Sequence, residues 1–138
     1  MQGKDVEIRW RDLDAYGHVN QAVYLTYVEE VLDAWVGAVL ELDEGRVWDY
    51  VAARVEIDYR SELRLSDGTA LGRCGLVRVG NSSVTARVEL RAPNDRLAAE
   101  AEIVIVARDP DSGRSRPLSD RERDAFERAA AFSTGRSA

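Results

Sequence analysis

Asp12, Asp14, Gly17, His18, Asn20 and Tyr24 all fall in one short stretch, WRDLDAYGHVNQAVYLTY at residues 10–27, and His18 is the only histidine of the chain. A carboxylate can attack a carbonyl carbon, or take the proton of a water that does so. A helix beginning beside it offers unpaired backbone N–H groups and the positive end of a dipole to the charge that develops on oxygen. The same residue types also have structural uses. Asp12 and Asp14 can close an Asx turn, Asn20 is a good helix N-cap, and a lone histidine between glycine and valine often serves only packing. Residue type alone leaves both readings open.

The elements that must position these residues can be read from periodicity. Residues 6–10, VEIRW, alternate as a half-buried strand does, which places Val6, Ile8 and Trp10 on one core-facing side. After the polar stretch, Tyr24, Tyr27, Val28, Val31, Trp35 and Val39 recur at helical spacing, while Thr26, Glu29, Glu30, Asp33 and Glu41 fall mainly on the other side. This predicts an amphipathic helix of about five turns, with Gly45 at its end or in the loop beyond. Tyr24, Tyr27 and Trp35 are read as core from that spacing.

Strands follow. Val55, Ile57 and Tyr59 alternate with Arg54, Glu56, Asp58 and Arg60, and SDG at 66–68 makes a turn. Residues 69–79 and 82–91 are joined by Gly80 and Asn81, a pair suited to a hairpin. APND at 92–95 leads into the last strand, and Ser119 with Glu122 forms a capping box that opens a short helix over about 119–131. The terminal STGRSA reads as a frayed tail. Short connections between successive strands make the sheet antiparallel, and a sheet with one long apolar helix packs that helix on one face. The expectation is a single α+β domain over residues 1–138.

Composition narrows the classes of function. With 138 residues, 45% hydrophobic and 32% charged, the chain can bury one substantial core. A net charge of −6 disfavours nucleic acid as a general partner, since that work needs a basic footprint. The N-terminal MQGKDVEIRW has neither the apolar segment of a secretory signal nor that of a membrane anchor, so the cytoplasm is the expected compartment. Cys74 is the sole cysteine, and no Cys/His spacing suggests a metal.

The spacing D-x-D-x-x-G-H-V-N-x-x-x-Y, filled by Asp12, Asp14, Gly17, His18, Val19, Asn20 and Tyr24, resembles the hotdog-fold acyl-CoA thioesterases of the 4-hydroxybenzoyl-CoA thioesterase type. The likeness runs on through the helix, the ARVEIDYR strand and the strands after it, over about residues 5–108. It implies a hotdog fold, in which an antiparallel β-sheet wraps around a long central α-helix. It also implies hydrolysis of an acyl-CoA or acyl carrier protein thioester with no cofactor, coenzyme A being part of the substrate, and a homodimer or homotetramer with the site at a subunit interface.

By the same resemblance Asp14 is the nucleophile or general base, His18 and Asn20 flank the helix entry as catalytic candidates, and Gly17 permits close approach to the ligand. The N–H near Gln21 becomes an oxyanion donor, and Tyr24 lines the acyl pocket. Glu29 and Glu30 are rivals to Asp14, because another hotdog lineage carries its acid on the long helix. Arg54, Arg60, Arg73, Arg78, Arg87 and Arg91 are candidates for phosphate contacts. A hotdog hydratase or dehydratase of acyl thioesters, and a non-catalytic acyl-binding subunit, are the alternative functions.

Overall fold

The computed structural model describes residues 2–133. Strand β1 (Gln2–Glu7) is followed by a 3-10 turn at Trp10–Asp12 and by helix α1 (Gln21–Val39), 19 residues long. Four strands come next: β2 (Tyr50–Tyr59), β3 (Thr69–Val79), β4 (Ser83–Arg91) and β5 (Leu97–Ala107); helix α2 (Asp120–Glu127) follows them. All pairings are antiparallel, in the order β1-β3-β4-β5-β2. No helix among the described residues is long and apolar enough to cross a membrane.

The helical stripe expected from the sequence is the core. Tyr24, Tyr27, Val28, Val31, Leu32, Trp35 and Val36 are buried, and α1 lies chiefly against β1, β3 and β4. Gly72 in β3 makes the closest approach possible, since a Cβ there would stand 2.2 Å from Val31 Cγ2 and 2.7 Å from the Lys4 carbonyl oxygen. The helix ends at Val39 with Leu40 as its C-cap and Glu41 at positive φ, so Gly45 (φ 83°) belongs to the loop beyond.

Two expectations need correction. Val6 and Ile8 are buried, but Trp10 is 79% exposed. The strand stops at Glu7 and the 3-10 turn breaks its alternation, so the inward position passes from Trp10 to Asp12. Helix α2 stops at Glu127, short of the expected 131. Past it the chain runs beside β3, where the Leu76 amide donates to Ala130 O and the Phe132 amide donates to Leu76 O. A register shift between Leu76 and Arg78 accompanies this pairing, and hydrogen bonds to a strand outweigh one more helical turn. The expected frayed tail lies outside the described residues from 134 onward.

The capping box is present, with Ser119 Oγ accepting from the Glu122 amide at 3.1 Å. Glu122 also pins α2 to the rest of the fold. It takes both guanidinium nitrogens of Arg116 at 2.8 Å and accepts from Trp48 Nε1 at 2.6 Å. The Arg116 bonds, against the effect of burial and helped by the Ser119 amide and Trp48, hold its carboxyl at about 2, below the ordinary 4.5. A depressed folded-state pKa gives stability that is complete above the unfolded value and is lost as pH falls through the folded one. Urea denaturation should therefore show stability falling between about pH 4.5 and 2, with a shallower fall in Glu122→Gln. Identical profiles for the two proteins would contradict this role.

Candidate active site

The site is built on the turn that feeds α1. Asp12, 5% exposed, accepts from the Tyr27 hydroxyl at 2.6 Å and from the Arg9 amide at 3.1 Å. Its carbonyl oxygen receives the Asn20 amide at 2.9 Å. Burial by itself would push the Asp12 carboxyl up, but the bonds from Tyr27, the Arg9 amide and the Arg9 guanidinium outweigh it and hold the pKa below the ordinary value. Burial, and then the bond to Asp12, push the Tyr27 hydroxyl up. Asp12 is therefore a fastener between turn and helix.

Asp14 sits in the loop so fastened. Its Oδ1 accepts from the Tyr16 amide at 2.8 Å and the His18 amide at 3.4 Å, and its Oδ2 faces His18 Nδ1 at 3.1 Å. Gly17, at φ 83°, supplies the left-handed residue that closes this loop, and its amide donates to Asp14 O at 3.3 Å. Asp14 and His18 side chains are 21% and 25% exposed, partly shielded yet open to a ligand.

Asn20 caps α1 through Oδ1, which accepts from the Ala22 amide at 3.0 Å, and its carbonyl takes the Val23 amide at 2.9 Å. Among the described residues the Gln21 amide meets no hydrogen-bond acceptor, which leaves it as the open donor of the first turn. A cleft of about 260 Å³ opens there, lined by His18, Val19, Gln21, Tyr24, Tyr59, Arg60, Ser61 and Glu62. Asp14 is not one of the lining residues and meets the cleft through His18. Of the six candidate arginines, Arg60, just past the end of β2, reaches it.

Tyr24 serves both readings. Its ring is buried and lines the cleft, while its hydroxyl accepts from the Leu63 amide at 2.9 Å and donates to Ser61 O at 3.4 Å. Burial pushes that hydroxyl's pKa up. Tyr59, edge-on to Tyr24 with ring centroids 5.3 Å apart, donates to Gln21 O at 3.1 Å. Sequence does not mark Tyr59 and Glu62 as site residues, because strand alternation says nothing about which strand end meets the helix start. Glu29 lines a different cleft of about 540 Å³ between α1 and β2, with Leu25, Leu32, Val55 and Ile103 among its walls; Glu30 is not among the residues that line it.

Residues 8–128 match the model of the thioesterase-like superfamily. The chain is 30% identical over 110 residues to the long-chain acyl-CoA thioesterase FadM of Escherichia coli (strain K12), covering 75% of this chain and 80% of that protein. Among solved structures it is similar to a thioesterase from Thermus thermophilus complexed with coenzyme A and Zn. The TM-score is 0.75 at 31% identity, over 91% of this chain and 90% of that one. A predicted thioesterase from Bacillus stearothermophilus superposes at TM-score 0.80 with 24% identity, over 96% and 98%, a likeness of fold. The fold is the expected hotdog.

Tyr27→Phe leaves Asp12 buried without its shortest hydrogen bond. It should lower the free energy of unfolding by about 1–3 kcal/mol in urea titrations. A loss below roughly 0.5 kcal/mol, the range of ordinary surface changes, would show that the fastening lies elsewhere.

Proposed function

This chain belongs to the thioesterase-like superfamily and is an acyl-CoA thioesterase, and on that premise we propose that Asp14 is the general base of the hydrolysis. The observation that carries this is the occupancy of its two oxygens. A carboxylate has about four lone-pair sites. Two backbone amides take those of Oδ1, and His18 stands at one side of Oδ2, so one site of Oδ2 stays open. An oxygen so held is better placed to accept a proton from water than to swing onto a carbonyl carbon as a nucleophile.

The step balances simply. Water oxygen bonds to the thioester carbon as its proton passes to Asp14, the carbonyl oxygen takes up negative charge, and collapse breaks the C–S bond and releases a thiolate that takes the proton from Asp14, restoring the base. The Gln21 amide and the dipole of α1 stabilise the charged oxygen. His18 holds the base, Asn20 sets the helix start, and Tyr24 forms the cleft wall. The residues call for no metal or further cofactor in this scheme.

For the acyl group, whose type the motif leaves open, we favour a fatty chain. Two observations support it: the Escherichia coli relative is a long-chain acyl-CoA thioesterase, and the larger cleft beside β2 is walled by Leu25, Leu32, Val55 and Ile103. The same face supports a dimer. β2 is an edge strand whose Val51, Val55 and Tyr59 stand exposed, a surface that a second copy of β2 would cover. A monomeric mass in sedimentation equilibrium would contradict it.

Asp14→Asn keeps an acceptor for the loop amides but removes the base. With fatty acyl-CoA esters it should lower kcat for thiol release by about 10²–10⁴-fold, while Glu29→Ala changes it little. Full turnover in Asp14→Asn, or its collapse in Glu29→Ala, would overturn the assignment.

A further inference from the structure

His18 does not face Asp14 alone. Its Nε2 lies 3.5 Å from Glu62 Oε1, so the imidazole spans two carboxylates, one at each ring nitrogen. Glu62 belongs to the segment leaving β2 and is distant in sequence from the motif, yet its place is fixed from several sides. The Val19 amide donates to Leu63 O at 2.8 Å, the Leu63 amide donates to the Tyr24 hydroxyl, and His18 and Arg64 form an antiparallel bridge. Arg64 Nη2 holds the other oxygen, Glu62 Oε2, at 2.7 Å. Tyr16 stacks on the imidazole, with ring planes 18° apart and centroids 6.0 Å apart.

An imidazole ring has two rotational freedoms, and contact at Nδ1 alone leaves it free to tilt about that bond. A carboxylate 3.5 Å from Nε2 limits this freedom. We propose that Glu62 is a positioning residue for the hydrolysis: through His18 it keeps Nδ1 directed at Asp14 Oδ2, and so fixes the direction in which the base's open lone pair points. The proposal rests on Asp14 being the base. Arg64 completes the chain by preventing Glu62 from turning towards solvent, where its half-exposed side chain would otherwise drift.

The test is thiol release from a fatty acyl-CoA ester by the full chain, comparing Glu62→Ala, Glu62→Gln, His18→Ala and the double variant His18→Ala/Glu62→Ala. Glu62→Ala should lower kcat about tenfold with KM held within about twofold, and Glu62→Gln, which retains an oxygen acceptor, should restore most of it. In the His18→Ala background, Glu62→Ala should cost nothing further, because the residue acts through the ring. Equal losses in both backgrounds, an unchanged kcat, or an effect confined to KM would each overturn the proposal. Those outcomes leave the requirement for Asp14 untouched, whereas full turnover in Asp14→Asn would remove the base itself.

Discussion

A carboxylate buried under the start of the long helix is the constraint on which the site depends. Asp12 accepts from Tyr27 in the second turn of α1 while its own carbonyl receives the Asn20 amide, so the turn, the cap and the helix are locked in one arrangement. Such a charge is costly to bury and is tolerated because each bond it makes is charge-assisted. The rest follows from the lock. With Asn20 fixed, α1 begins at Gln21, and with the loop held at both ends Asp14 closes on His18.

The two acids of the D-x-D pair were legible as a pair, not as a buried fastener and a proposed base. Their spacing marked both, and the family likeness singled out Asp14. Nothing in the sequence distinguished a buried fastener from a turn residue at Asp12, because the difference lies in whether Tyr27 faces it. The hairpins, the Asn20 cap and the Ser119–Glu122 box were readable because their physics is local. Trp10 was misplaced because alternation was carried past the point where a 3-10 turn ended the strand. The end of α2 was misplaced because a long-range pairing with Leu76 competes with helical propensity. Glu62 escaped notice for the same reason: it reaches His18 only after β2 has crossed the sheet.

The fold leaves one side of itself unfinished. α1 covers β1, β3 and β4, while β2 at the far edge keeps apolar side chains in the open, and the cleft of about 540 Å³ lies against that edge. The proposed acyl chain and second subunit would make the same demand here, for apolar surface beside an open strand edge. In the proposed reaction the carbonyl chemistry is kept apart from it, at the helix start beside Asp14 and the Gln21 amide.

In the proposed reaction the thioester carbonyl is attacked at the start of α1 beside Asp14. The most direct measurement is a crystal structure of the full chain with a non-hydrolysable fatty acyl amide analogue of the CoA ester. The analogue's carbonyl oxygen is expected about 3 Å from the Gln21 amide nitrogen, with Asp14 Oδ2 and one water at the carbonyl carbon. A reacting carbon seated instead beside Glu29, with no contact to the first turn of α1, would contradict it.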